Sequence, residues 1–328
     1  MPPRVLVVGG GLAGVSAALA LADGGHDVEL LEARPRLGGA ACSFRRGALT
    51  VDNGQHVFLR CCTEYLAFLR RLGATGHVTL QPRLSVPVLR PGGPAGRLWR
   101  DPLPAPLHLA RALGGYVHLP FRQRLGVVRT ALAMYRLDPA DPVLDRRTLG
   151  DWLAARGQSR AAVEVLWDLI GRATLNATAS DASLALAAMV FRTGLLTRAG
   201  AADLGYPRVP LGDLHDTLAE RALRDAGARV RRRSRVIGVA AHEDGVRAWL
   251  AGGVTVSADA VILAVPHDAA ARLLPEDAWP GLPRFGGLAT SPIVNVHVRY
   301  DRQVTDLPFA AGVGSPVQWV FDRTTASG

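Results

Sequence analysis

Three glycines between positions 9 and 14 carry the first chemistry legible in this chain. Gly9-Gly10-Gly11-Leu12-Ala13-Gly14 satisfies G-x-G-x-x-G and directly follows the apolar run at residues 5–8. In that setting Gly9 permits a tight turn, Gly11 lets the main chain approach a pyrophosphate, and Gly14 lets a helix pack close to the strand. Leu12 and Ala13 open that helix, so their N–H groups lack partners within it and present a partial positive charge to an anion. Glu32 stands 18 residues after Gly14. A carboxylate there can accept hydrogen bonds from an adenosine ribose and would repel a 2′-phosphate. The chemistry is the binding of a dinucleotide other than NADP.

These residues require a strand, a helix and a second strand in fixed order. The pattern supplies them as a buried strand over 5–8, a small-residue helix over 13–22 and a strand over 28–31. Beyond Arg36 the chain becomes glycine-rich and then helical, with Leu66, Leu69 and Leu72 at spacing three. Residues 81–107 carry many prolines and read as strands and loops, and 107–137 read as an apolar, arginine-studded helical stretch. Another helical stretch runs over 149–196, broken near 174–180, and 211–225 predicts a further helix. Strands return after Gly227, over 229–239, 245–250, 254–256 and 260–265, then 294–300 and 318–321. In 294–300 the alternation would put Val294, Val296, Val298 and Tyr300 on one face. The expected fold class is α/β. Residues 1–75 and 220–285 form a discontinuous Rossmann-like, dinucleotide-binding domain, and 76–219 with 286–328 form an interleaved, helix-rich α+β substrate domain.

Composition bounds the rest. An apolar share of 48% in 328 residues supports a buried core. All 38 basic residues are arginine, and against 28 acidic residues they leave a net charge of +10. A basic balance suits nucleic acid, anionic lipid or an acidic ligand. Nucleic acid is not expected, because no basic stretch is interleaved with aromatics and no zinc-ligand spacing occurs. The densest run, Arg231, Arg232, Arg233 and Arg235, reads as a solvated strand face. Cys42, Cys61 and Cys62 form neither a disulfide framework nor a metal set, which predicts a cytoplasmic setting and no metal. No apolar run reaches the roughly 20 residues a bilayer demands, so any membrane attachment is expected to be peripheral, on the inner face. The mixture of Tyr116, Phe121 and Tyr135 with Arg111, Arg122, Arg124 and Arg129 would suit an anionic membrane surface as well as a core helix with a wet arginine face.

The stretch Glu32-Ala33-Arg34-Pro35-Arg36-Leu37-Gly38-Gly39 resembles the second glycine motif of flavin amine oxidases and carotenoid desaturases. The resemblance implies FAD as cofactor, held by Glu32, Ala33, Arg34 and Arg36, with Gly38 and Gly39 lying against its phosphates. Ala40 departs from the pattern, since many relatives carry arginine there. Asp52-Asn53-Gly54-Gln55-His56 resembles the segment under the flavin ring, which implies contacts from Asn53, Gly54, Gln55 and His56. The resemblance continues through Leu175-Asn176-Ala177, residues 205–212, Ala264-Val265-Pro266, residues 291–297 and Gln318-Trp319. It implies that Val236 meets the adenine and that Ala264 and Pro266 also border the cofactor. The order of the blocks and the Gln318-Trp319 segment resemble the hydroxysqualene dehydroxylase branch. Family members continue into a late segment that closes the FAD site, which is expected to be absent from a chain ending at Gly328.

That resemblance implies an FAD-dependent oxidoreductase that reduces hydroxysqualene to squalene, a long-chain isoprenoid substrate, and an electron donor the sequence does not identify. Water lost from an allylic alcohol needs a proton donor, and His56 is the expected one because imidazole titrates near neutrality. Asp52 and Tyr206 are weaker candidates. A carotenoid or phytoene desaturase, a flavin amine oxidase, and a non-catalytic prenyl-binding protein on the same fold stand as alternatives.

Overall fold

The computed structural model describes residues 1–327. The buried run Arg4–Val8 forms β1, the helix Leu12–Asp23 is α1, and Asp27–Leu31 forms β2. Two later strands, β3 (Arg229–Arg231) and β4 (Ala260–Leu263), complete a parallel sheet in the order β3-β2-β1-β4. The register puts Val7 opposite both Leu30 and Ile262. Central strands of a parallel sheet are covered on both faces, which is why β1 and β2 read as nearly unbroken apolar runs. The strands of this sheet thus come from the two ends of a long interruption in the sequence.

The expected strand over 229–239 is two strands. β3 ends at Arg231, Arg233 adopts a left-handed conformation with φ of 56°, and Val236–His242 starts a separate antiparallel sheet with Gly245–Leu250 and Thr255–Ala258. The turn is held from β2's end, where the amide of Ser234 donates to the carbonyl of Glu32 at 2.8 Å and that of Arg233 to Arg34 at 3.1 Å. Two arginines of the run are paired: Arg231 meets Glu29, and Arg232 meets Asp216 at 2.7 Å and Glu220 at 3.0 Å, while Arg233 and Arg235 are exposed.

The interruption builds the other half. Ser85–Leu89 pairs with Gly96–Trp99 and with Phe309–Gly312, which pairs in turn with Trp319–Phe321. Helices fill the space beside this sheet, and Val86, Val88, Trp152, Leu153, Leu184 and Phe309 share one core. Among these helices α2 (Phe121–Tyr135) accounts for much of the arginine-studded stretch. Asp203 is fully buried and accepts hydrogen bonds from Arg60, Arg100 and the amide of Leu84. Burial would raise its pKa, but those donors hold the carboxyl below the usual range.

Two further expectations fail. Residues 294–300 are not in a strand, although Val294, Val296 and Val298 alternate as expected; the segment has no pairing neighbour among the described residues and its side chains lie exposed. A hairpin of Ser43–Arg46 and Leu49–Asp52 appears where only a glycine-rich stretch was foreseen. Gly47, with φ of 60°, makes its turn.

Candidate functional site

The first glycine turn lies between the ends of β1, β2 and β4. The amide of Gly9 donates to Leu31 O at 2.9 Å, and the amide of Ala264 donates to Val8 O at 2.8 Å. A side chain on Gly9 would meet Ala264 O at 2.4 Å, and one on Gly14 would meet Gly9 O at 1.8 Å, so strand, turn and helix interlock only with glycine at both positions. Gly11 is different. A Cβ there would meet nothing nearer than Gly39 Cα at 3.9 Å and would point into open space. No side chain caps α1, whose first bond is Val15 N to Gly11 O, so the amides of Leu12 and Ala13 have no helical partners.

Glu32 closes the cradle. It is buried, and its two oxygens accept the amides of Gly10 at 2.7 Å and Arg34 at 2.6 Å. Each carboxylate oxygen keeps further lone pairs for a sugar hydroxyl. The second glycine turn is sewn to the first by Gly38 N to Gly10 O at 2.8 Å. Gly38 and Gly39 take φ of 89° and 58°, and Arg36 folds back to donate to Gly39 O at 3.0 Å. An unfilled space before Gly11, free helix amides and a carboxylate beside it fit a diphosphate with an adjoining ribose.

The structure brings the third expected segment to the same place. Asn53 Nδ2 donates to Ala40 O at 3.1 Å, and Gly54, with φ of 96°, packs against Asn295. Gln55 and His56 then line a cavity of about 440 Å3 together with Tyr206, Arg208, Phe321 and Arg323. His56 is exposed, yet the protein atoms around it partly desolvate it; this lowers its pKa against the opposing pull of Asp52. Tyr206 lines the cavity from the strand Leu204–Pro207. Asp52 is occupied elsewhere: Arg323 pairs with it at 2.7 Å, while Ser43 Oγ and the amide of Leu211 donate to its other oxygen at 2.6 and 2.9 Å. Of the remaining expected residues, Ala33 lies between Glu32 and Arg34, and Pro266 is exposed at the start of the helix His267–Leu273. Val236 is buried against Leu6, Val8 and Leu31 in a core beside the parallel sheet.

The sequence reading assigned no role to the residues beneath the second glycine turn. His215 is buried and donates Nδ1–H to Ala41 O at 3.2 Å, because a carbonyl can only accept; its Nε2 then accepts from Tyr65 Oη at 3.0 Å. Burial pushes His215 down to about 4 and Tyr65 up to about 12, so both are neutral around pH 7. The adjacent Asp216 accepts the amide of Leu37 at 3.0 Å. Two consecutive residues of the π-helical stretch Asp213–Leu218 therefore hold both flanks of the Gly38-Gly39 turn. The signal was faint: adjacent His and Asp in a helical segment that carries other charged residues as well.

The sequence profile described as flavin containing amine oxidoreductase matches residues 12–328. Among curated proteins, zeta-carotene desaturase of Zea mays is 28% identical over 330 residues, covering 93% of this chain and 57% of the relative. The 15-cis-phytoene desaturase of Arabidopsis thaliana is 26% identical over 313 residues, covering 92% of this chain and 55% of the relative. The chain thus spans little more than half the length of these curated relatives. Among solved structures, wild-type putrescine oxidase bound to putrescine superposes with a TM-score of 0.64 at 19% identity, over 99% of this chain and 73% of that one. Fold, paired glycine turns and profile agree on FAD as the cofactor, and the chain belongs to the flavin containing amine oxidoreductase family.

Proposed function

We propose that this chain binds FAD in the glycine cradle and oxidises a long-chain isoprenoid by introducing a carbon–carbon double bond. The observation that carries the reading is the hydrogen bond from Asn53 to Ala40 O, which joins the second glycine turn to the segment lining the His56 cavity. Gly11, Leu12, Ala13, Gly38 and Gly39 would hold the diphosphate through main-chain groups, Glu32 the ribose, and Asn53 to His56 the ring side. Desaturation removes a hydride from one carbon and a proton from its neighbour. FAD, when bound, supplies the hydride acceptor, and an external two-electron acceptor must restore it. His56, with its lowered pKa, is neutral near pH 7, the form that takes a proton. Similarity to carotene desaturases supports this oxidative direction over the reductive one.

The reductive alternative, conversion of hydroxysqualene to squalene, rests on the order of the sequence blocks and the Gln318-Trp319 segment. Gln318 and Trp319 border a separate hollow with Gly312 and Ser315 and are not among the residues around His56. Incubating FAD-loaded protein separately with zeta-carotene or phytoene and an electron acceptor, and with hydroxysqualene and a reductant, separates the two by chromatography. A more unsaturated polyene supports desaturation. Squalene as the sole product overturns it.

A further inference from the structure

The outward side of α2 is apolar. Phe121, Leu125, Val128, Leu132 and Tyr135 are between 38% and 66% exposed, and at spacings of four, three, four and three they form one stripe along the helix. The inward side is already satisfied, since Val127 and Met134 join the large core and Thr130 bonds Gln158 at 2.9 Å. Beside the stripe run Arg122, Arg129 and Arg136, each exposed and seven residues apart. Helix α2 carries no acidic residue, and the guanidinium of Arg192 sits 5.9 Å from the Tyr135 ring. The neighbouring helix Leu184–Phe191 leaves Leu186 and Met189 exposed as well.

An apolar row of this length facing water is costly unless something covers it. A row of arginines along one flank, with no carboxylate on the helix, is complementary to an anionic, apolar-cored surface. No helix among the described residues is long and apolar enough to cross a bilayer. We infer that α2 lies in the plane of an anionic membrane, its Phe121–Tyr135 stripe among the acyl chains and Arg122, Arg129 and Arg136 against phosphate headgroups. The inference goes beyond the proposed reaction. It gives the protein a place to collect a substrate that dissolves in lipid and not in water.

Sedimentation with vesicles tests it, with and without FAD, so that failure of cofactor binding and failure of membrane binding are read separately. The protein should sediment with phosphatidylcholine vesicles containing phosphatidylglycerol, less with phosphatidylcholine alone, and less at high salt. The double variant Leu125→Gln with Leu132→Gln should weaken partitioning roughly tenfold or more. The triple variant Arg122→Ser, Arg129→Ser and Arg136→Ser should lose the preference for anionic vesicles. Far-ultraviolet circular dichroism and FAD titration should be unchanged in both, because these side chains lie outside the cofactor cradle. Wild type left in the supernatant, or stripe variants that partition like wild type, overturns the inference. So does a wild-type dimer that the leucine variant converts to monomers, because the face would then belong to a second copy.

Discussion

Asp52 and Arg323 are separated by 271 residues and joined by a 2.7 Å ion pair in which Asp52 is buried and Arg323 partly so. The pair ties the strand before the Asn53–His56 segment to the end of the described chain, and Arg323 also reaches Pro207 O at 2.9 Å. Leaving one charge of a buried pair without its partner typically costs about 3–5 kcal/mol. Asp52→Asn should therefore lower unfolding stability by roughly 3 kcal/mol in urea titrations. Once folded, it should retain proton-transfer capacity, because Asp52 serves as an anchor. Unchanged stability with abolished turnover would instead make Asp52 a reacting group.

Glu32 holds two loop amides with charge-assisted bonds. Replacing it by alanine frees both and removes the acceptor for the ribose, so FAD affinity should fall by about 100-fold or more, two such bonds being worth roughly 3 kcal/mol. Equilibrium titration of FAD into Glu32→Ala checks this. An affinity equal to wild type would remove the carboxylate from the site.

Gly14 and Gly11 separate packing from binding. Gly14→Ala forces a methyl to 1.8 Å from Gly9 O and should destabilise the fold or displace the turn. Gly11→Ala meets no atom closer than 3.9 Å and should leave the denaturation midpoint of the cofactor-free protein unchanged. Equal destabilisation of the two variants in thermal melts would contradict the geometry of the turn.

His215 makes stability depend on pH. Its pKa falls from 6.5 to about 4 on folding, so between these values the unfolded chain takes up a proton that the folded chain refuses. The stabilisation is complete above 6.5 and is lost as pH drops toward 4, by up to about 1.4 kcal/mol per pH unit. His215→Asn keeps a donor for Ala41 O and should remove this component. Urea titrations from pH 7.5 down to about 4.5 on both proteins should show the wild type losing more stability than the variant; parallel curves would sink the assignment.

The β-α-β unit was legible because local pattern and tertiary role coincide there: an apolar run, three glycines and a carboxylate each have one physical use. The separation of β3 from the strand at Val236 was not, since the left-handed turn at Arg233 depends on partners at residues 32 and 34. The same holds at the site. Gly38, Asn53 and His56 could be singled out as short motifs, whereas His215, Asp216 and Arg323 act through contacts 174, 179 and 271 residues away. Residues 294–300 show the converse case, in which alternation alone does not make a strand without a neighbour to pair with.

Adding FAD to the wild-type protein and to Gly11→Ala, and following the visible flavin spectrum, tests the central claim most directly. The account predicts saturable binding with a perturbed spectrum for wild type, and loss of binding for Gly11→Ala with its fold intact by circular dichroism. Wild type that leaves the spectrum of free FAD unaltered, or Gly11→Ala that binds as tightly as wild type, contradicts a diphosphate seated on the first glycine turn.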